Sequence, residues 1–309
     1  MVPVQWQSEN PQHALIERLV AERPVLTDGA WGTELLARGL GAGECPDAWN
    51  VKFPDRVLEV GRAYVEAGSR VILTNTFGAN RIALERYGLH HRTREINQAG
   101  VEISLRAANG RAFVFATMGP SGKLLGLGEL TDAELQEAFV EQAEALAAAG
   151  ASALVIETMS DLDEARLAVS AARATGLPVA ACMAFDSGKT KTQTMMGTTA
   201  AEAAKALSEA GADAIGANCG QGVENYLQLY KGLAAATDRP IWLKPNAGAP
   251  QLLGDHTVYA STPDEFAQAA SALAEAGAAF IGGCCGTTPA FIHALGRALI
   301  PASGKIPCV

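Results

Sequence analysis

The sequence predicts a (β/α)8 barrel, and three observations carry that prediction. Short apolar runs that read as strands alternate with Ala- and Glu-rich stretches of helical period along the 309 residues. The strand runs are nearly continuous in apolar residues, as parallel strands covered on both faces must be. A repeated phrase closes several helices ahead of a strand: Glu66-Ala67-Gly68, Ala148-Ala149-Gly150, Glu209-Ala210-Gly211 and Glu275-Ala276-Gly277. A glycine in that place can take the left-handed conformation that ends a helix.

Taken in order, Pro24-Val25-Leu26-Thr27-Asp28 is the first strand. A helix around Arg56–Ala67 leads to the second, Arg70-Val71-Ile72-Leu73-Thr74-Asn75. Ala112–Ala116 is the third, Ala153–Glu157 the fourth and Pro178–Met183 the fifth. Ala214–Asn218 is the sixth, Pro240–Lys244 the seventh and Ala278–Gly282 the eighth. Helical period is clear over Asp132–Ala149 and Ala200–Ala210. Eight such units match one α/β barrel in length and order. The competing architecture is an open doubly wound sheet, but no Gly-x-Gly-x-x-Gly follows the first strand. No low-complexity linker interrupts the chain. Residues 1–309 therefore read as one domain, with a core of about 24–299 and short extensions at both ends.

Composition narrows the function. The chain is 49% hydrophobic, enough for a large core, and 18% charged, with a formal net charge of −9. No long basic run occurs, which argues against nucleic acid and anionic membrane as partners. No stretch has the apolar length of a membrane span. Met1–Trp6 lacks the basic and apolar regions of a signal peptide. Six cysteines in this length do not form a disulfide scaffold, and a reducing cytoplasm is the expected location.

Three of those cysteines carry most of the information. Cys219 follows the sixth strand in Ala217-Asn218-Cys219-Gly220. Cys284 and Cys285 are adjacent, after the eighth strand, in Gly282-Gly283-Cys284-Cys285-Gly286-Thr287. Strand C-termini of an α/β barrel face the active site. Three thiolates converging there fit a zinc ion with one open coordination position, which is what a metal needs to activate a substrate. The flanking glycines let two consecutive side chains turn toward one ion. The competing reading is two buried cysteines that only pack. Cys45 in a loop, Cys182 in the fifth strand and Cys308 in the tail lack such a setting. The five histidines show no metal-ligand spacing.

Polar residues cluster at the same strand ends. Asp28 and Gly29 end the first strand; Thr74, Asn75 and Thr76 the second. Glu157 ends the fourth, Asn218 precedes Cys219, and Asn246 follows the seventh. A carboxylate at the end of an apolar strand is costly without a partner. Glu157 and Asp28 suit a substrate ammonium, and backbone N–H groups around Gly29 suit a carboxylate. Each has a competing reading as a helix cap or a barrel-mouth hydrogen bond. Together they suggest an amino acid whose thiol sits on the metal.

With these residues in view, the chain resembles the homocysteine S-methyltransferase family from about Pro24 to Leu299. The resemblance rests on Asp28-Gly29-Ala30-Trp31-Gly32-Thr33, Thr74-Asn75-Thr76-Phe77, Met118-Gly119-Pro120, Glu157-Thr158, Asn218-Cys219-Gly220, Pro245-Asn246-Ala247-Gly248 and Gly282–Thr287. It implies a zinc-dependent barrel that methylates homocysteine to methionine. Cys219, Cys284 and Cys285 would bind the zinc, and Asp28, Gly29 and Glu157 would hold the homocysteine backbone. The details are most similar to the homocysteine-binding module of cobalamin-dependent methionine synthase. Folate, cobalamin and reactivation modules have no counterpart here. The expected donor is therefore a methylcorrinoid carried by a separate protein. The alternatives are a small donor such as S-methylmethionine or betaine, or a zinc-stabilised barrel that binds without catalysis.

Overall fold

The structure is a computed structural model that describes residues 14–123, 130–253 and 256–299. Its centre is an eight-stranded parallel sheet. The barrel strands are β1 (Val25–Leu26), β2 (Val71–Ile72), β3 (Phe113–Met118), β4 (Ala153–Met159), β5 (Val179–Met183), β6 (Ala214–Gly222), β7 (Ile241–Asn246) and β10 (Phe280–Ile281). They lie in the order β1-β10-β7-β6-β5-β4-β3-β2. A parallel bridge between Thr27 and Val71 brings the two edges together. The eight predicted strands are these eight.

The helices are α1 (Ala14–Ala21), α2 (Trp31–Ala37), α3 (Trp49–Lys52), α4 (Pro54–Glu66), α5 (Arg81–Glu85) and α6 (Thr93–Ala108). They continue with α7 (Asp132–Ala148), α8 (Leu162–Arg173), α9 (Ala200–Glu209), α10 (Tyr226–Ala234), α11 (Pro263–Ala276) and α12 (Pro289–Leu299). Three begin in a full capping box: Thr131 with Glu134, Thr199 with Glu202, and Thr262 with Glu265. Each box satisfies amide donors that a helix start leaves free. The four glycines of the repeated phrase all have positive φ, between 96° and 108°. An antiparallel hairpin, β8 (Pro250–Leu253) with β9 (His256–Tyr259), follows β7 and has no counterpart in the sequence reading.

The barrel interior is stratified. Its lower part is apolar: Val71, Phe115, Val155, Cys182, Trp242 and Phe280 pack together, and Ile16 and Leu19 of α1 join the same cluster. Trp242 stands 6.0 Å from Phe115 and 4.8 Å from Phe280, ring centre to ring centre. Side chains on a strand return to one face every second residue. One step beyond Phe115, Val155, Gly216 and Trp242 come Thr117, Glu157, Asn218 and Lys244. The polar layer at the C-terminal mouth is thus the next inward tier above the apolar plug. No helix among the described residues is long and apolar enough to cross a membrane.

Candidate metal centre and amino-acid pocket

Two strands depart from regular pairing at the mouth. The register of β4 against β5 shifts between Ile156 and Met159, and that of β6 against β7 between Asn218 and Gly222. Bulges re-aim side chains, and these two carry Glu157-Thr158 and Cys219. Thr158 and Cys219 have φ of 61° and 59°. Left-handed backbone is costly for a β-branched residue such as Thr158 and persists where surrounding contacts enforce it. The contacts are present. The Thr158 amide donates to Asn218 Oδ1 and Asn218 Nδ2 donates to Thr158 Oγ1, both at 2.7 Å. The Tyr226 hydroxyl donates to the Cys219 carbonyl at 2.6 Å.

Cys219, Cys284 and Cys285 converge as the one group of its kind among the described residues, with their sulfurs all within 4.8 Å of one another. Cys219 and Cys285 are 3.7 Å apart. The three side chains are half-buried free thiols. Backbone bonds fix the pair: the Cys284 amide donates to the Pro245 carbonyl at 2.7 Å, and the Ala247 amide to the Cys285 carbonyl at 2.9 Å. Asn246 is held between them, with its buried Oδ1 unpartnered. Gly283 has no room for a side chain, because Thr287 fills the place a Cβ would take. Hydrogen bonds from Cys219 and Cys284 pull the Cys285 thiol down to about 3, against burial, and the Cys284 thiol is pushed well up by its bonds to Cys219 and Cys285. Such a cluster can hold a metal ion. Tyr259 of β9 lies against Gly286, beside the pair.

Glu157, Asp28 and Lys244 form the charged floor of the pocket. Lys244 and Asp28 are buried and paired, with Nζ 2.5 Å from Oδ1. Asp28 Oδ2 accepts from Trp31 Nε1 and from the Leu73 amide, each at 2.7 Å. Glu157 Oε1 accepts from the Thr117 hydroxyl. Its Oε2 has a longer contact, 3.4 Å, with Asn218 Nδ2. Burial pushes the Glu157 carboxyl up, while Lys244 and Thr117 pull it back. Burial alone lowers Lys244, but Asp28 and Glu157 raise its ammonium above the usual lysine range.

The structure therefore brings Asp28, Glu157, Asn218 and the three cysteines into one mouth. Asn75 and Thr76 stand behind it. Asn75 Nδ2 donates to Pro46 O and Asn50 Oδ1, at 2.8 and 2.9 Å. Thr76 Oγ1 donates to the Thr117 carbonyl at 2.7 Å. Gly29 packs against Tyr64 and Thr287, with no space for a side chain. Cys45 and Cys182 are buried apart from the cluster; Cys308 and His13 lie outside the described residues. Lys244 and Thr117 were missed by sequence reasoning. For Lys244 the signal existed: a lysine closing an apolar strand needs a buried counter-ion.

The sequence profile of the homocysteine S-methyltransferase family matches residues 25–299. The chain is 33% identical over 300 residues to a methionine synthase of Mycobacterium tuberculosis, covering 91% of this chain and 25% of the relative. It is 32% identical over 313 residues to that of Mycobacterium leprae, covering 95% and 26%. The chain thus spans about a quarter of the length of these relatives. Among solved structures it is similar to the metallated form of the homocysteine methyltransferase MmuM from Escherichia coli, with 26% identity and a TM-score of 0.76. That match covers 91% of this chain and 98% of the other. With the family profile spanning nearly the whole described barrel, the chain belongs to the homocysteine S-methyltransferase family.

Proposed function

We propose that this chain, as one barrel domain acting in the cytoplasm, transfers a methyl group to the sulfur of homocysteine to give methionine. Zinc on Cys219, Cys284 and Cys285 is the metal of this reading, and a methylcorrinoid on a separate protein is the donor. The observation that carries it is the convergence of three thiols beside Glu157. A tetrahedral zinc with Zn–S bonds of about 2.3 Å has an S–S edge of about 3.8 Å; Cys219 and Cys285 are 3.7 Å apart. Three sulfur donors leave the fourth position for a substrate.

When bound, zinc supplies the Lewis acidity that keeps the substrate sulfur a thiolate at neutral pH. The protein's residues do the rest. Glu157 Oε2 takes the substrate ammonium, and the backbone about Gly29 takes its carboxylate. Asn218 orients Glu157, and Asn246 offers its unpartnered Oδ1 to the ligand. Thr76 fixes Thr117, which holds the other oxygen of Glu157; Asn75 braces the same wall. Anchoring the ammonium and carboxylate of the α-carbon directs the side-chain sulfur toward the cysteine cluster. The sulfur then forms a bond to the methyl carbon as the donor–carbon bond breaks, and the donor leaves with that electron pair. Holding the partners in line removes much of the entropic barrier.

A small donor such as S-methylmethionine or betaine is the second reading. One screen separates the two. Zinc-loaded protein is mixed with homocysteine and methylcobalamin, S-methylmethionine or betaine, and methionine is measured. Methionine from methylcobalamin is the expected result. Methionine from a small donor alone selects the second reading, and none from any donor leaves only a thiol-binding barrel.

A further inference from the structure

We propose that Tyr226 is a positioning residue for the metal, its hydroxyl holding Cys219 in the turned conformation that brings this sulfur to Cys284 and Cys285. The inference rests on the metal reading above and goes beyond it to a residue that is not itself a ligand.

The gap in the β6–β7 ladder carries it. Pairing runs from Asn218 with Lys244 straight to Gly222 with Asn246. Three residues, Cys219 to Gln221, therefore stand opposite the single Pro245. A proline has no N–H to give, so the β7 residue facing this bulge cannot bond the Cys219 carbonyl. Tyr226, the first residue of α10, supplies the donor instead. Its hydroxyl is buried, lies 2.6 Å from the Cys219 carbonyl oxygen and 3.4 Å from that of Lys244, and so spans both strands at the bulge.

The backbone it holds is one that a cysteine rarely adopts. Cys219 and Gly220 are both left-handed, with φ of 59° and 72°. Such a conformation persists in a non-glycine residue where surrounding contacts enforce it. The other ligands return to the same place: the Cys284 amide donates to the Pro245 carbonyl, the residue after Lys244. One hydroxyl thus ties the Cys219 turn to the strand that anchors Cys284. Without it, Cys219 is free to relax while the metal is absent. A site that is competent for only part of the time binds more weakly by that fraction.

Tyr230 provides the control. It lies one turn further along α10, and its hydroxyl donates to the Ala276 carbonyl at the end of α11, at 2.5 Å. Y226F and Y230F each remove one tyrosine hydroxyl bond from the same helix, but only the first touches the cysteine cluster. Metal-free wild type, Y226F and Y230F are prepared under reducing conditions, and zinc affinity is measured by competition with a chromophoric chelator. Denaturant unfolding of the metal-free proteins is measured alongside. Y226F is expected to weaken zinc by about tenfold, and Y230F by less than twofold, whatever each loses in stability. A loss below fivefold in Y226F overturns the inference, and so does an equal loss in Y230F, since zinc would then report the stability of α10. A Y226F protein too unstable to purify overturns it as well, because the hydroxyl would then serve the fold rather than the sulfur. Wild type that takes up no zinc overturns the metal reading together with the inference; failure of Y226F alone overturns only the inference.

Discussion

Thr158 and Asn218 exchange two hydrogen bonds of 2.7 Å between two non-adjacent strands, β4 and β6. Each lies at a bulge, and the bulges carry Glu157 and Cys219. The exchange therefore couples the amino-acid pocket to the cysteine cluster. Asn218→Ala leaves the Thr158 amide without its acceptor at a left-handed residue. The expected loss is about 1–3 kcal/mol of stability, read by denaturant unfolding, together with weaker homocysteine binding. Unchanged stability would mean that the bulge holds itself.

The metal prediction concerns stoichiometry. One zinc per chain is expected, lost or strongly weakened in Cys219→Ser, Cys284→Ser and Cys285→Ser. Cys45→Ser and Cys182→Ser should keep it, since both thiols are buried away from the cluster. Elemental analysis of purified variants decides. Full zinc in all three cluster variants would sink the site.

Asp47 predicts a pH dependence away from the chemistry. It is buried, accepts from the Gly78 amide at 2.9 Å, and faces the Cys45 thiol at 3.8 Å. Burial pushes its carboxyl up to about 6. A pKa raised in the folded state adds stability below the unfolded value near 4, and that contribution is lost as pH rises through about 6. Asp47→Asn keeps an oxygen for Gly78 and removes the titration. Relative to this variant, wild type should lose on the order of 2–3 kcal/mol between pH 4 and pH 7. Unfolding curves across that range test it; a constant difference would show that Asp47 titrates as an ordinary carboxyl.

Some of this was legible in the sequence for physical reasons. Runs such as Ala153–Ile156 show strands because both faces are covered. Helix ends were visible at Gly68, Gly150, Gly211 and Gly277, whose φ is positive in the structure. The three cysteines stood out because each follows a strand in a glycine-rich turn. Partnership was not legible. Asp28 and Glu157 look alike as acids at strand ends, yet one receives three protein donors, from Lys244, Trp31 and Leu73, and the other receives Thr117 and a long contact from Asn218. Apart from Trp31, the donors to Asp28 come from more than 40 positions away. The bulges were also hidden, because register is a property of two strands and neither sequence alone records it. The β8–β9 hairpin escaped because it is short and lies between two stronger signals.

Glu157→Gln is the sharpest test of the pocket. The change keeps the side-chain volume and an acceptor for Thr117, and it removes the charge. Glu157 is buried, so its charge is poorly screened by water and a facing ammonium gains a charge-assisted bond. Such a bond is worth about 1.5–3 kcal/mol. Homocysteine binding to the zinc-loaded variant should therefore weaken by roughly tenfold to a hundredfold. Zinc content should not change, because the carboxylate is not among the three sulfur donors. A propyl thiol that lacks the amino group should bind wild type and variant about equally, since the sulfur–metal contact is intact. Titration of both ligands against both proteins separates the effects. Equal homocysteine affinity in the two proteins would show that Glu157 serves Thr117 and Asn218 as a structural acceptor, and the ammonium would have to be sought at another group of the mouth.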